Sequence, residues 1–179
     1  KLESKTLKLN YILGDACAYI KYLCESFHSL AEVNDIKIRI ESDIESVNMD
    51  YDPDRLMQII HNLMSNAIKF SPNGSTITVN IREWDGELRV AISDQGIGIP
   101  ESEIPYVFER FFQAKNQTYA RSGGSGIGLA FTKELVTMMG GSIQVESPID
   151  GPLGTRFTFA LPIKQESEII ADEVSNLPN

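Results

Sequence analysis

The stretch between residues 77 and 92 restricts the fold most. Ile77, Val79 and Ile81 alternate with polar residues, Asp85-Gly86 offers a tight turn, and Leu88, Val90 and Ile92 alternate back. This is the pattern of a β-hairpin with one apolar face. Such a hairpin is stable only when another layer covers that face, and the chain supplies helices to do it. Over residues 13–31, Leu13, Ala16, Ile20, Leu23, Phe27 and Leu30 recur at helical spacing, which predicts one amphipathic helix stopped by Asn34-Asp35. A second helix opens at Asp52-Pro53, with Asp as N-cap and Pro in the first turn. It runs to Phe70 on an apolar stripe of Leu56, Ile60, Leu63, Ala67 and Phe70. A third spans residues 126–139 and ends at Gly140-Gly141, the usual helix-stopping residue type.

Further strands complete a sheet. Ile36, Ile38 and Ile40 alternate with charged residues, and residues 143–146 and 156–161 flank a loop rich in Gly and Pro. A short helix is predicted over 101–108 after Pro100. Residues 113–123 (QAKNQTYARSG) lack periodicity and read as a mobile loop. The expected architecture is an α/β two-layer sandwich, with three main helices on one face of a mixed, mostly antiparallel five-stranded sheet.

At 179 residues the chain is long enough for one domain and some extra chain. With 16 basic against 25 acidic residues, its net charge of −9 argues against nucleic-acid binding, which needs clustered positive charge. One phosphorylated small ligand stays compatible, since a few amides and a lysine can hold it. No apolar run approaches the roughly 18–20 residues that span a bilayer, so direct membrane insertion is not expected. Cys17 and Cys24 fit neither a disulfide framework nor a zinc pattern and read as buried free thiols of a cytoplasmic protein. The start at Lys1 reads as that of a piece excised from a longer protein. Residues 1–8 read as the tail of an upstream element, 9–163 as the domain, and 164–179, with one Lys against four acids, as an acidic solvated linker.

Three constellations point to chemistry. On the helix to Phe70, Asn62, Asn66 and Lys69 lie at i, i+4 and i+7 and project together. Asn is a poor helix former; its amide oxygen is a hard ligand of the kind Mg²⁺ takes, and a lysine one turn on can neutralise phosphates. A solvated polar face explains the same residues equally well. At the end of the hairpin, Asp94-Gln95-Gly96-Ile97-Gly98-Ile99 pairs a carboxylate with two glycines. The acid can accept from an exocyclic amine such as that of adenine, although an ordinary turn with a capping Asp reads the same way. Gly123-Gly124-Ser125-Gly126-Ile127-Gly128-Leu129 opens the third helix, where bare amides and the helix dipole suit a phosphate chain. Plain hinge glycines are the alternative. A dinucleotide fingerprint needs a buried strand directly before the glycines. QAKNQTYARS is not one, even though Glu146 sits at a ribose-acid spacing, and a Walker loop fails for want of Gly-Lys-Ser/Thr.

Taken in order, HNLMSNAIKF (61–70), DQGIGIP (94–100), FERFF (108–112), GGSGIGL (123–129) and GPLGTRF (151–157) resemble the catalytic ATP-binding domain of bacterial sensor histidine kinases. The resemblance covers about residues 9–163. It implies a Mg-ATP site in which Asn66 is the main Mg²⁺ ligand with Asn62 beside it, Lys69 contacts the phosphates and Asp94 holds the adenine amine. Gly96 and Gly98 would floor the base, Gly124, Gly126 and Gly128 would hinge a mobile ATP lid, and Thr155 would close the adenine end. Phe70, Ile99, Ser125, Ile127 and Leu129 belong to the same implied nucleotide set. Phe108 and Phe111 would anchor the lid and partner helices. Many members carry an arginine after the aromatic pair; Gln113 stands there, leaving Arg110 or Arg121 to supply the charge.

The resemblance also implies transfer of the γ-phosphate to a histidine on an upstream dimerising hairpin, of which KLES resembles the end, and a response regulator or receiver domain as partner. His28 and His61, the two histidines, lack the acceptor context, so the fragment is expected to bind ATP as a monomer and not to phosphorylate itself. Two alternatives stay open. One is an ATP-hydrolysing clamp of the gyrase or heat-shock-90 type, disfavoured because those enzymes place a glutamate where Asn62 stands. The other is a non-catalytic nucleotide-gated interaction module.

Overall fold

The computed structural model describes residues 7–113, 126–151, 153–168 and 170. The loop read as mobile, except for Gln113, lies outside the described residues, as do Arg121, Gly124 and Ser125, most of the upstream segment and much of the acidic tail.

Among the described residues, four helices and seven strands follow in the order β1 (Ile12–Asp15), α1 (Ala16–Glu25), α2 (His28–Val33), β2 (Lys37–Ser42), β3 (Asn48–Tyr51), α3 (Pro53–Phe70), β4 (Thr76–Trp84), β5 (Glu87–Asp94), α4 (Gly128–Met138), β6 (Ser142–Glu146) and β7 (Thr155–Pro162). The main sheet has the order β2-β4-β5-β7-β6, and β1 and β3 form a separate two-stranded ribbon. Only the β2–β4 ladder is parallel; β4–β5, β5–β7 and β6–β7 are antiparallel. Three main helices on a mixed five-stranded sheet match the expected sandwich.

The two-residue period of β4 and β5 sends Ile77, Val79, Ile81, Leu88, Val90 and Ile92 into the core, where Phe157, Phe159 and Leu161 of β7 join them. From the helices come Ile20 and Leu23 of α1, Leu56, Ile59, Ile60, Leu63 and Met64 of α3, and Leu135 and Val136 of α4. The opposite sheet face stays open and polar, laced by Arg89–Glu87 at 3.0 Å and Arg156–Glu146 at 3.1 Å. Cys17 and Cys24 are free and buried on α1, and burial pushes the Cys24 thiol up to about 12.

Four local expectations need correction. The single helix over 13–31 is instead a strand and two helices. Asp15 caps α1 by accepting from the Ala18 amide (3.1 Å), and Ser26 closes it by donating to the Leu23 carbonyl (2.6 Å); Leu30 is left 48% exposed. The helix over 101–108 shrinks to one 3₁₀ turn, Ile104–Tyr106, because Pro105 has no donor to extend it. The third helix starts at Gly128 rather than Gly126, which has φ +70°, left-handed backbone that cannot begin an α-helix. Strand β3 went unpredicted: Met49 and Tyr51 alternate with Asn48 and Asp50 and turn inward, but four residues directly before a helix cap are too short a run for the period to stand out.

The stretch read as a solvated linker starts against the ribbon. Asp50 accepts from the amides of Glu166 (2.7 Å) and Ser167 (3.1 Å), its own amide donates to the Lys164 carbonyl (2.6 Å), and Gln165 Nε2 donates to the Asn48 carbonyl (2.7 Å).

Candidate functional site

The helix α3 is set firmly at its start. Asp52 accepts from the Arg55 amide (3.1 Å) at the N-cap and from the Asn10 amide (2.7 Å). With Leu56, Ile60, Leu63 and Ala67 committed to the core, the 100° step per residue turns Asn62, Ser65, Asn66 and Lys69 to another side. There they line a cavity of about 290 Å³ closed by the end of β5, the start of β7 and the start of α4. Asn62, Asn66, Lys69, Phe70, Asp94, Gly98, Ile99, Gly126, Gly128, Leu129 and Thr155, all expected in the site, line this one cavity.

Asp94 is the last residue of β5 and pairs with Thr155, the first of β7. It is 6% exposed. Burial pushes its carboxyl up to about 6, although the amides of Gly96 and Thr155 donate to it and pull the other way. The Gly96 bond measures 2.9 Å. It is the only carboxylate among the described residues lining the cavity. The turn after it depends on glycine: a Cβ on Gly96 would sit 2.5 Å from the Phe70 carbonyl oxygen. Gly98 has φ +77°. The Gly154 amide donates to the Gly96 carbonyl at 2.8 Å, so the two loops that bracket Asp94 hold each other.

At the other end, Asn62 Nδ2 donates to Thr132 Oγ1 (3.1 Å) and, more weakly, to the Gly128 carbonyl (3.4 Å). One amide group of Asn62 is therefore spent on joining α3 to α4, and its Oδ1 is the atom left for a ligand. Lys69 Nζ stands 5.2 Å from the centre of the Phe70 ring, a cation–π distance.

Several expected residues sit elsewhere. Gly96 lies behind Asp94 rather than on the cavity wall. Arg110 is exposed and paired with Glu134 at 3.8 Å. Ile127 is 44% exposed and off the lining. His28 and His61 are also off the lining; His61 packs its ring 5.2 Å from Phe27. Phe108 meets Phe157 edge-on at 6.0 Å, under Lys133 at 5.5 Å. The sequence reading missed Ser65, Ile97, Val107, Phe112 and Phe157 as lining residues. The i+3 spacing from Asn62 would have found Ser65; the apolar ones carry no chemical signal of their own. Gln113 does line the cavity.

A fold of this topology, with its cavity between a polar helix face and the glycine turns, defines a class of nucleotide-binding domain. The chain belongs to the family described as histidine kinase-, DNA gyrase B-, and HSP90-like ATPases, which matches residues 51–165. Its relatives are sensor kinases. It is 34% identical over 175 residues to the sensor histidine kinase WalK of Bacillus subtilis, covering 97% of this chain and 28% of WalK. It is 43% identical over 132 residues to the circadian input-output histidine kinase CikA of Synechococcus elongatus, covering 71% of this chain and 17% of CikA. Among solved structures, the mycobacterial sensor histidine kinase MprB superposes with a TM-score of 0.72 at 32% identity, over 85% of this chain and 98% of that one. The chain thus spans less than a third of the length of WalK and of CikA.

Proposed function

We propose that this domain binds Mg-ATP and passes the γ-phosphoryl group to a histidine on a separate helical hairpin, as the catalytic part of a two-component sensor kinase. The observation that carries the reading is the polarity of one cavity. A single buried carboxylate, Asp94, shares its wall with two asparagines and a lysine from α3 and with apolar residues such as Ile99, Leu129 and Phe157. Asp94 accepts from the exocyclic amine of adenine. Ile99, Leu129 and Phe157 give the base apolar contact, and Lys69 meets phosphate charge.

The donor set fits Mg²⁺. Asn62 and Asn66 offer hard amide oxygens, and among the described residues no cluster of three or more His, Cys, Asp or Glu competes as a metal cage. With so few protein ligands the ion keeps waters and phosphate oxygens, as Mg²⁺ prefers. When bound, it neutralises charge on the phosphates. Asn66 is the main ligand in this reading, with Asn62 beside it through Oδ1.

Hydrolysis of the clamp type has less support. It needs a base near the metal-binding helix to activate water, and Asn62 there is an amide engaged with α4. On this reading the acceptor histidine lies outside this domain; that neither His28 nor His61 lines the cavity supports it. Self-phosphorylation of this stretch alone is therefore not expected. In this reading the parent is a cytoplasmic-facing sensor kinase whose further partner is a response regulator or receiver domain. Among the described residues, no helix is long and apolar enough to cross a membrane.

Calorimetric titration with ATP, with and without Mg²⁺ and repeated with NAD, tests the site. Mg²⁺-dependent ATP binding without NAD binding is the expected result, and absence of ATP binding in both conditions overturns the reading. Asn66→Ala should lose about tenfold or more of the Mg²⁺-dependent affinity and much less of the metal-free affinity. Equal loss in both would remove Asn66 as the ligand. Transfer to a hairpin supplied separately then tests the kinase step.

A further inference from the structure

Ser147, which no motif above includes, lies between β6 and β7 beside Ile99 and Thr155 of the cavity wall, and its hydroxyl makes three contacts. It accepts from the Ile99 amide at 2.7 Å, donates to the Gly154 carbonyl at 2.8 Å, and meets the Thr155 hydroxyl at 3.1 Å. A serine hydroxyl has one proton. The Gly154 carbonyl can only accept, so it takes that proton, and in the third contact Thr155 must be the donor.

We propose that Ser147 sets the base preference of the nucleotide site by fixing the direction of the Thr155 hydroxyl. Thr155 also has one proton, and Ser147 takes it. What Thr155 Oγ1 shows to the cavity is then lone pairs alone. Its neighbour across the β5–β7 ladder is Asp94, which as a carboxylate also offers lone pairs only. Two adjacent groups that can only accept select a base edge that donates, as the 6-amino group of adenine does. They disfavour the 6-carbonyl of hypoxanthine or guanine, whose oxygen would face lone pairs with no proton between them. Sites built to hydrogen-bond a particular group reject its isostere strongly because buried polar atoms are left unpaired. Ser147 is a positioning residue in this scheme. It touches no ligand and acts by holding a proton at one atom.

The proposal rests on the ATP reading of the cavity, and the test separates the two. The parent, Ser147→Ala, Ser147→Thr and Thr155→Val are each titrated with Mg-ATP and Mg-ITP. The quantity read is the ratio of the two affinities, which cancels any general loosening of the loop. In Ser147→Ala the freed Thr155 proton can turn to the carbonyl of ITP, and the preference for ATP narrows roughly fivefold, the worth of one hydrogen bond. Ser147→Thr keeps the hydroxyl and the parent ratio. Should Ser147→Ala not fold, Thr155→Val decides alone. Loss of an acceptor costs ATP more and narrows the ratio, whereas loss of a donor would cost ITP more and widen it. A parent that binds neither nucleotide defeats the ATP reading. A parent that binds ATP, with a ratio unchanged in Ser147→Ala or widened in Thr155→Val, overturns the role of Ser147 alone.

Discussion

The Asp94 carboxyl is buried and accepts from two backbone amides, and the proposed contact with the adenine amine needs it ionised where burial favours the neutral form. Its folded value of about 6 stands above the ordinary 3.8. The stability it contributes is therefore complete below about 4 and is lost as pH rises through 6. Above that, the domain carries a buried charge costing on the order of 3 kcal/mol. Asp94→Asn should raise resistance to urea unfolding at pH 8 by up to that amount and change it little at pH 4. The same substitution should cost at least about tenfold in ATP affinity, because a donor then faces the adenine amine. Asp94 was legible from Asp-x-Gly-x-Gly, since a carboxylate before two glycines is a local pattern. Its shifted proton affinity was not, because the burial that raises it depends on β7, which starts some sixty residues on in the chain.

Among the elements, α4 shows how two similar glycines differ. Gly126 has φ +70°, and a Cβ there would come 2.8 Å from Phe111 Cα and 2.9 Å from the Phe112 carbonyl oxygen. Gly128 is helical, with nothing nearer than 4.0 Å, the Asn62 Cγ. Gly126→Ala should destabilise by more than about 1 kcal/mol. Gly128→Ala should stay within about 1 kcal/mol of the parent and can gain from the helix preference of alanine. Thermal unfolding of the two variants side by side checks the contrast, and equal effects would contradict it. The glycine run marks a phosphate-suited helix start in sequence but cannot rank its members, since the rank depends on the Phe111–Phe112 backbone folded against one of them. For the same reason the break of the first helix at Ser26 escaped a periodicity reading: the apolar stripe continues through Phe27 while the hydrogen bonds do not.

On the scale of the whole molecule, periodicity disclosed the two layers and which face of β4 and β5 turns inward. It could not disclose the strand order. That β2 pairs in parallel with β4, and that β3 leaves the main sheet to pair with β1, follow from long-range packing that a local pattern does not encode. The docking of 164–168 was hidden likewise, because its partners, the Asp50 carboxylate and the Asn48 and Tyr11 carbonyls, lie more than a hundred residues away in the chain. Asp50→Ala should speed hydrogen exchange at the Glu166 and Ser167 amides by about tenfold or more and lower stability by about 1 kcal/mol. Unchanged exchange at both would show that the segment is held by something else.

Ser167 Oγ donates to the Tyr11 carbonyl at 3.1 Å, so the segment that leads into β1 and the segment that follows β7 meet at one corner. Leu13 and Ile170 meet there as a parallel bridge, so the two segments run side by side in one direction. A pull that drew their outer ends apart would load these contacts together, in shear, and not open them one at a time.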